Sequence, residues 1–278
     1  MRAYVDGSAE YFTWFNTVNA QLWMANGAHS VEVIATDKSG NDVSTSFQLN
    51  VVAPQNPTIS NIQNFSRWQP CGDLYPPGDP RAGQVCAAGG GNPVYTMTQD
   101  QSTPSLSGSS TMFTIGGPLH YVNELYTNYF AGGSNVTQFT YDLEFMVDQP
   151  DRPQALEFDV NQTIDNSRWV FGTECNFKGD GVWDVWDGTI NKWVATSVPC
   201  KPVEANVWNH LVWKFERVGD QVHYISVELN GQTSNVDMYR ANQPFWSIED
   251  IDIAFQMDLD GAAEPYTVWL DQVTLSAN

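Results

Sequence analysis

Alternation of apolar and polar residues, repeated from about residue 136 to the end, most limits the folds open to this chain. Residues 137–147 set Phe139, Tyr141, Leu143, Phe145 and Val147 on one side, with mostly polar groups between them. A period of two sends successive side chains to opposite faces of a strand, whereas a helix needs 3.6. Similar segments follow at 155–161, 169–176, 182–186, 193–196, 207–217, 221–229, 251–259 and 266–275, and Asn230-Gly231 reads as a tight hairpin turn. Many strands with almost no helical pattern must pack sheet on sheet, so the expected fold class is an all-β, antiparallel β-sandwich. Of the 278 residues, 42% are hydrophobic, enough to fill such a core.

The first 53 residues read as a separate, smaller β module. Residues 28–37 alternate with Val31, Val33 and Ala35 on one face, Lys38-Ser39-Gly40-Asn41 turns, and 45–51 return with Phe47, Leu49 and Val51 expected inward. Residues 54–58, opened by Pro54 and including Pro57, form a stiff linker, and 59–278 form the larger sandwich. Within it, 70–93 are Gly- and Pro-rich and read as irregular loop. Residues 101–120 should hold one strand around Met112, Phe113 and Ile115, and Val122–Tyr126 a short helical turn.

The net charge of −20, from 32 acidic and 12 basic residues, opposes phosphate backbones, anionic membrane surfaces and strongly anionic polysaccharides. The expected partners therefore exclude nucleic acid and membrane insertion, and neutral glycans stay open. No cofactor is called for, although acidic loops could hold calcium, which takes oxygen ligands. Four cysteines favour two local bridges, Cys71–Cys86 and Cys175–Cys200, with four reduced thiols as the alternative. The first residues read as the middle of a strand rather than as a leader, so the start is expected to be a cloning boundary. The expected location is extracellular or at the cell surface. The sequence gives no oligomeric state.

The residues with most chemical content are Leu156-Glu157-Phe158-Asp159-Val160-Asn161-Gln162. As a strand, it turns Leu156, Phe158 and Val160 one way and Glu157, Asp159 and Asn161 the other. Adjacent carboxylates on one face repel unless solvent, a cation or a substrate separates them. Eight of the eleven tryptophans lie between Trp169 and Trp269. Trp183, Trp186, Trp208 and His210, with Asp184 and Gln162, are the expected ligand-binding residues, because indole faces and polar acceptors suit sugar rings. The four histidines have no metal-ligand spacing, and Asp258-Leu259-Asp260-Gly261 and Lys178-Gly179-Asp180-Gly181 are Asp-rich turns without EF-hand spacing.

Two resemblances follow. The stretch from Gly27 to Val52 resembles bacterial immunoglobulin-like repeats, with only the later strands present, which implies a spacer that is truncated. The Glu157-Phe158-Asp159 strand resembles the acidic strand of concanavalin-like jelly rolls. That implies either lectin-type metal-holding carboxylates or a retaining glucanase of the Glu-x-Asp-x-x-Glu kind. By that resemblance Glu157 matches the nucleophile and Asp159 the assisting carboxylate. Gln162 stands at the acid position, and an amide cannot protonate a leaving oxygen. A replacement acid would have to come from Glu174, Glu264 or Glu144. The expectation is therefore an extracellular polysaccharide-binding jelly roll for neutral glycans of β-glucan type. The alternatives are an endo-acting glycoside hydrolase using Glu157 and a second carboxylate, and a surface adhesin or structural protein.

Overall fold

The computed structural model describes residues 1–13, 18, 22–23, 27–51, 58–65, 68–70, 93–117, 121–132, 135–245 and 249–278. The N-terminal part carries β1 (Arg2–Val5), β2 (Ser8–Phe12), β3 (Leu22–Trp23), β4 (Gly27–Thr36) and β5 (Asp42–Val51). Then come β6 (Thr58–Ile59), β7 (Gln69–Pro70), β8 (Val94–Gln101), β9 (Ser110–Gly116), β10 (Asn123–Gly132), β11 (Gln138–Val147) and β12 (Pro153–Ile164). The chain continues through β13 (Ser167–Phe171), β14 (Thr173–Asn176), β15 (Val182–Asp187), β16 (Lys192–Pro199), β17 (Trp208–Val218) and β18 (Gln221–Leu229). It ends with β19 (Gln232–Ala241), β20 (Gln243–Pro244), β21 (Asp250–Leu259) and β22 (Tyr266–Ala277). The 3-10 turn Ile62–Asn64 is the one helical element among the described residues.

Three sheets result. A four-stranded sheet has the order β2-β1-β4-β5. The first sandwich sheet runs β16-β15-β14-β12-β21-β10-β3, with β13, β20 and β7 attached. The second runs β19-β18-β17-β11-β22-β9-β8, with β6 on β22. The pairings are antiparallel except for the short parallel bridge of β3 to β10. The sandwich core is built from the alternation seen in the sequence. Phe139, Tyr141, Leu143, Phe145 and Val147 of β11 face Leu156, Phe158 and Val160 of β12 and Ile251, Ile253, Phe255 and Met257 of β21 across one buried cluster.

Three expectations need correction. Val122–Tyr126 is not a helical turn, because Asn123–Gly132 pairs along β21. Its apolar residues Val122, Tyr126 and Phe130 are spaced by four, which satisfies a strand and a helix alike. Phe47 and Leu49 do not face inward: they are 48% and 38% exposed, because no second layer covers β5 among the described residues. The segment expected as one strand over 169–176 is two, β13 and β14, both paired with β12.

Strand β22 keeps both halves in the core by a change of register. Tyr266, Val268 and Leu270 point inward, and so do Val273, Leu275 and Ala277. The parity shifts at Gln272, which has φ +51°, opposite the irregularity between Asp142 and Glu144 of β11. Asp271 sits in this bulge, fully buried. It accepts hydrogen bonds from Ser105 Oγ (2.7 Å), Ser107 Oγ (2.5 Å), the N–H groups of Leu106, Ser107 and Gln272, and Gln63 Nε2.

Candidate functional site

Because β12 turns Leu156, Phe158 and Val160 into the core, Glu157, Asp159 and Asn161 rise from the opposite face of the first sheet. Strand β21 does the same. Ile251, Ile253, Phe255, Met257 and Leu259 are core, while Asp250, Asp252, Gln256 and Asp258 share the face of Glu157. Register then lays side chains side by side. Asp184 of β15 faces Glu174 of β14, Glu174 faces Glu157, and Glu157 faces Gln256. Glu174, the replacement carboxylate considered from the sequence, is thus the direct cross-strand neighbour of Glu157.

This acid face is recessed. Glu157, Asp159, Glu174 and Asp184 are 7%, 8%, 7% and 5% exposed, although they point away from the core. Asp258 is the more open of the group. Carboxylate oxygens of Glu157, Glu174 and Asp258 all lie within 4.8 Å of one another. The Gln256 amide donates to Glu157 and, at 3.0 Å, to Asp258. Positive charge is sparse: Arg168 pairs with Asp252 at 2.7 Å and acts to lower the Asp159 pKa, and Lys178 pairs with Asp260 at 3.3 Å.

Ionisation follows from that environment. Burial, then the charges of Asp258, Asp159 and Glu174, push the Glu157 carboxyl well above the usual range, against the Gln256 hydrogen bond. Burial and then Asp258 and Asp184 push Glu174 up to about 9. Burial raises Asp159 to about 8 despite the Thr173 N–H that donates to it at 2.9 Å. Asp258 rises to about 7, also by burial. Burial raises Asp184 too, opposed by the Asn176 amide. Close carboxyls short of donors hold protons at neutral pH unless a cation replaces them.

The oxygens of Glu157, Glu174 and Asp258 fit a hard divalent cation, whose oxygen ligands stand about 2.3–2.6 Å away. These three residues could hold calcium. The Asp-rich turns considered from the sequence behave differently. Asp260 caps its own turn by accepting the Ala262 and Ala263 N–H groups, and only Asp258 joins the acid face.

Aromatic rings border one side. Trp186 pairs across strands with Trp193, ring centroids 5.2 Å apart and edge to face. Both are half-buried. Trp186 shares its face with Asp184, and its N–H donates to Gln243 Oε1 at 3.2 Å. Gly172 lies against both indoles: a Cβ there would meet Trp186 Cβ at 2.9 Å and the Trp193 ring at 3.3 Å. Only glycine lets the rings settle so close to the strand.

The remaining sequence candidates lie apart from this face. Trp183 is 1% exposed in the core, packed edge-on to Trp213. Gln162 is fully buried on the core side and donates to the Val136 carbonyl at 2.9 Å. Five residues is an odd spacing, so a regular strand sends Gln162 to the face opposite Glu157. Trp208 and His210 stand on β17 of the other sheet, where His210 Nε2 meets Asp142 at 2.8 Å and pairs in register with Glu144. Glu264 is an exposed loop residue paired with Arg152 at 3.4 Å. Cys175 and Cys200 form a disulfide with Cα atoms 5.6 Å apart. Cys71 and Cys86 lie outside the described residues.

Sequence reasoning read 251–259 only as a strand and so missed its acids as partners of Glu157. The signal was available: Asp250-Ile-Asp-Ile-Ala-Phe-Gln-Met-Asp alternates as strictly as the Glu157 strand, with every acid on one face.

No protein-family model matches this chain, and neither does any curated protein sequence. Solved structures of similar shape include an endo-β-1,4-glucuronan lyase from the fungus Trichoderma reesei. It has a TM-score of 0.46 and 10% identity, covering 66% of this chain and 87% of that one. A structure of carbohydrate-binding modules from the β-sandwich superfamily has a TM-score of 0.37 and 12% identity, covering 90% and 74%. The lectin UEA-II in complex with galactose has a TM-score of 0.38 and 11% identity, covering 66% and 92%. At these scores and identities none of them bears on what this chain does.

Proposed function

We propose that this protein engages neutral polysaccharide along the acid face of the first sheet. The observation that carries the reading is one face that joins Asp184, Glu174, Glu157 and Asp159 to the Trp186–Trp193 pair. Carboxyls accept or donate to sugar hydroxyls, and indole rings cover the apolar C–H faces. The net charge of −20 disfavours uronic acids and sulfated chains, so the ligand class is uncharged, of the β-glucan type. Isothermal titration against neutral β-glucans should give saturable binding, weakened by Trp193→Ala. Absence of heat with every neutral glycan removes the reading.

A second reading, glycoside hydrolysis, is favoured by the Glu157–Glu174 pair. Retaining hydrolases hold their two carboxyls about 5–5.5 Å apart, and the facing oxygens of this pair are closer, within 4.8 Å. Glu174, which keeps its proton at neutral pH, suits the acid. Glu157, whose carboxyl burial also pushes up, must lose its proton before it attacks, and the Gln256 amide that donates to it favours that ionised form. Release of reducing ends that Glu157→Gln and Glu174→Gln both abolish supports hydrolysis; binding without release leaves the first reading standing alone.

A further inference from the structure

Where the edges of the two sheets meet, β15 and β16 on one side and β18 and β19 on the other, a cavity of about 230 Å³ opens. Its walls include the apolar Val198, Val227 and Leu229, and Gln232 and Ser234 bring an amide and a hydroxyl to it. Trp183 borders it as well. That indole is held by Trp213 at 5.4 Å and Phe158 at 6.3 Å, yet its N–H, buried, meets no acceptor among the described residues. A buried indole N–H normally has a partner, and leaving it without one is unfavourable.

The charge pattern limits what could supply that acceptor. Lys201 also lines the cavity, but its ammonium donates to the Phe177 carbonyl and lies 5.6 Å from the Phe177 ring. Already engaged there, and in a chain of net charge −20, it does not make the cavity select an anion. Apolar walls, a bordering indole whose N–H has no partner among the described residues, and neutral polar groups match a compact ring with an apolar face and hydroxyl oxygens.

We infer that this cavity is a binding site for a single neutral pyranose, with the Trp183 N–H donating to one of its oxygens. Trp183 and Asp184 are successive residues of one strand, so the cavity lies across the sheet from the acid face. The inference therefore stands or falls independently of the function proposed above.

The test uses the full chain and methyl β-glucopyranoside, methyl β-galactopyranoside and methyl β-xylopyranoside, followed by ligand-observed saturation-transfer NMR. At least one should bind saturably in the millimolar range. Trp183→Phe deletes the N–H while keeping a ring in the core, and should weaken binding about tenfold, the effect of one hydrogen bond. Ser234→Trp places a large ring in the cavity from a half-buried edge-strand position and should abolish binding. Lys214→Gln, at an exposed position of β17, should leave it unchanged. If Trp183→Phe does not fold, Ser234→Trp decides alone. The inference is overturned if no pyranoside binds saturably, if binding survives the plugging variant, or if a folded Trp183→Phe binds as tightly as the wild type.

Discussion

Replacing Glu174 by glutamine should make the protein more stable, and increasingly so as pH rises. Glu174 is 7% exposed, faces Glu157 and Asp184, and has its carboxyl pushed from 4.5 to about 9 by burial and those neighbours. Its folded value lies above its unfolded value, so the native state binds the extra proton and stability falls as pH rises. Below about pH 4.5 both states are protonated and the term vanishes. Between 4.5 and 9 the native state must keep a proton that the unfolded chain has lost. At pH 7 that penalty depends on the unfolded value alone, and amounts to about 3 kcal/mol; at pH 5 it is under about 1 kcal/mol. Glutamine has the same shape, never ionises, and can donate where the protonated acid would. The variant should therefore gain up to about 3 kcal/mol at pH 7, roughly 6–12 °C in Tm for a chain of this size. The assay is thermal unfolding of both proteins in chelator at pH 5, 6, 7 and 8. An equal or lower Tm for Glu174→Gln at pH 8, or a difference flat across that range, would refute the electrostatic account of the acid face. If the face is the working site, this more stable variant should bind or cleave glycan less well.

Calcium should replace the shared protons. At a hundred times its Kd it should stabilise the wild type by about 2.7 kcal/mol, an effect that chelator reverses and that Asp258→Asn removes; a Tm unmoved by millimolar calcium counts against a cation there. Arg168→Leu strands the fully buried Asp252 without its 2.7 Å partner, so a loss of about 3–5 kcal/mol is expected in denaturant unfolding, and a near-neutral result means that Asp252 is compensated otherwise. Opening the Cys175–Cys200 bridge, which spans 25 residues, should cost about 3 kcal/mol, measured on the double Cys→Ser variant against wild type without reductant.

What could be read in the sequence was whatever alternation alone decides. The period of two gave the inward set Phe139 to Val147, the outward Glu157 and Asp159, and the two-sheet architecture. It could not say which strand lies beside which, and the site is made by that adjacency. Glu174 joins Glu157 because β14 pairs with β12, and Asp258 because β21 pairs on the other side. The same limit explains Trp183. Alternation separates Trp183 from Trp186, but it does not say which of the two faces is core. The tyrosine and phenylalanine of β10 show a further limit, since a spacing of four fits both periods. The inward assignment of Phe47 and Leu49 assumed a covering layer, and burial depends on that layer rather than on the strand itself.

Two buried carboxylates in this sandwich have opposite fates. Burial alone would raise Asp271, but the hydroxyls of Ser107 and Ser105 and surrounding N–H groups hold it below the usual value, and it pins the 105–107 loop to the β22 bulge. Glu157, also buried, has the Gln256 amide and three carboxyl neighbours, and is driven upward. The fold can surround a buried carboxylate with donors where the carboxylate serves structure. On the acid face it instead brings β12, β14, β15 and β21 together so that each contributes another acid. Every such neighbour lowers stability at neutral pH, and none contributes to the core. An arrangement that opposes folding and sits beside two indole rings makes physical sense if something from outside the chain, a sugar hydroxyl or a cation, completes it.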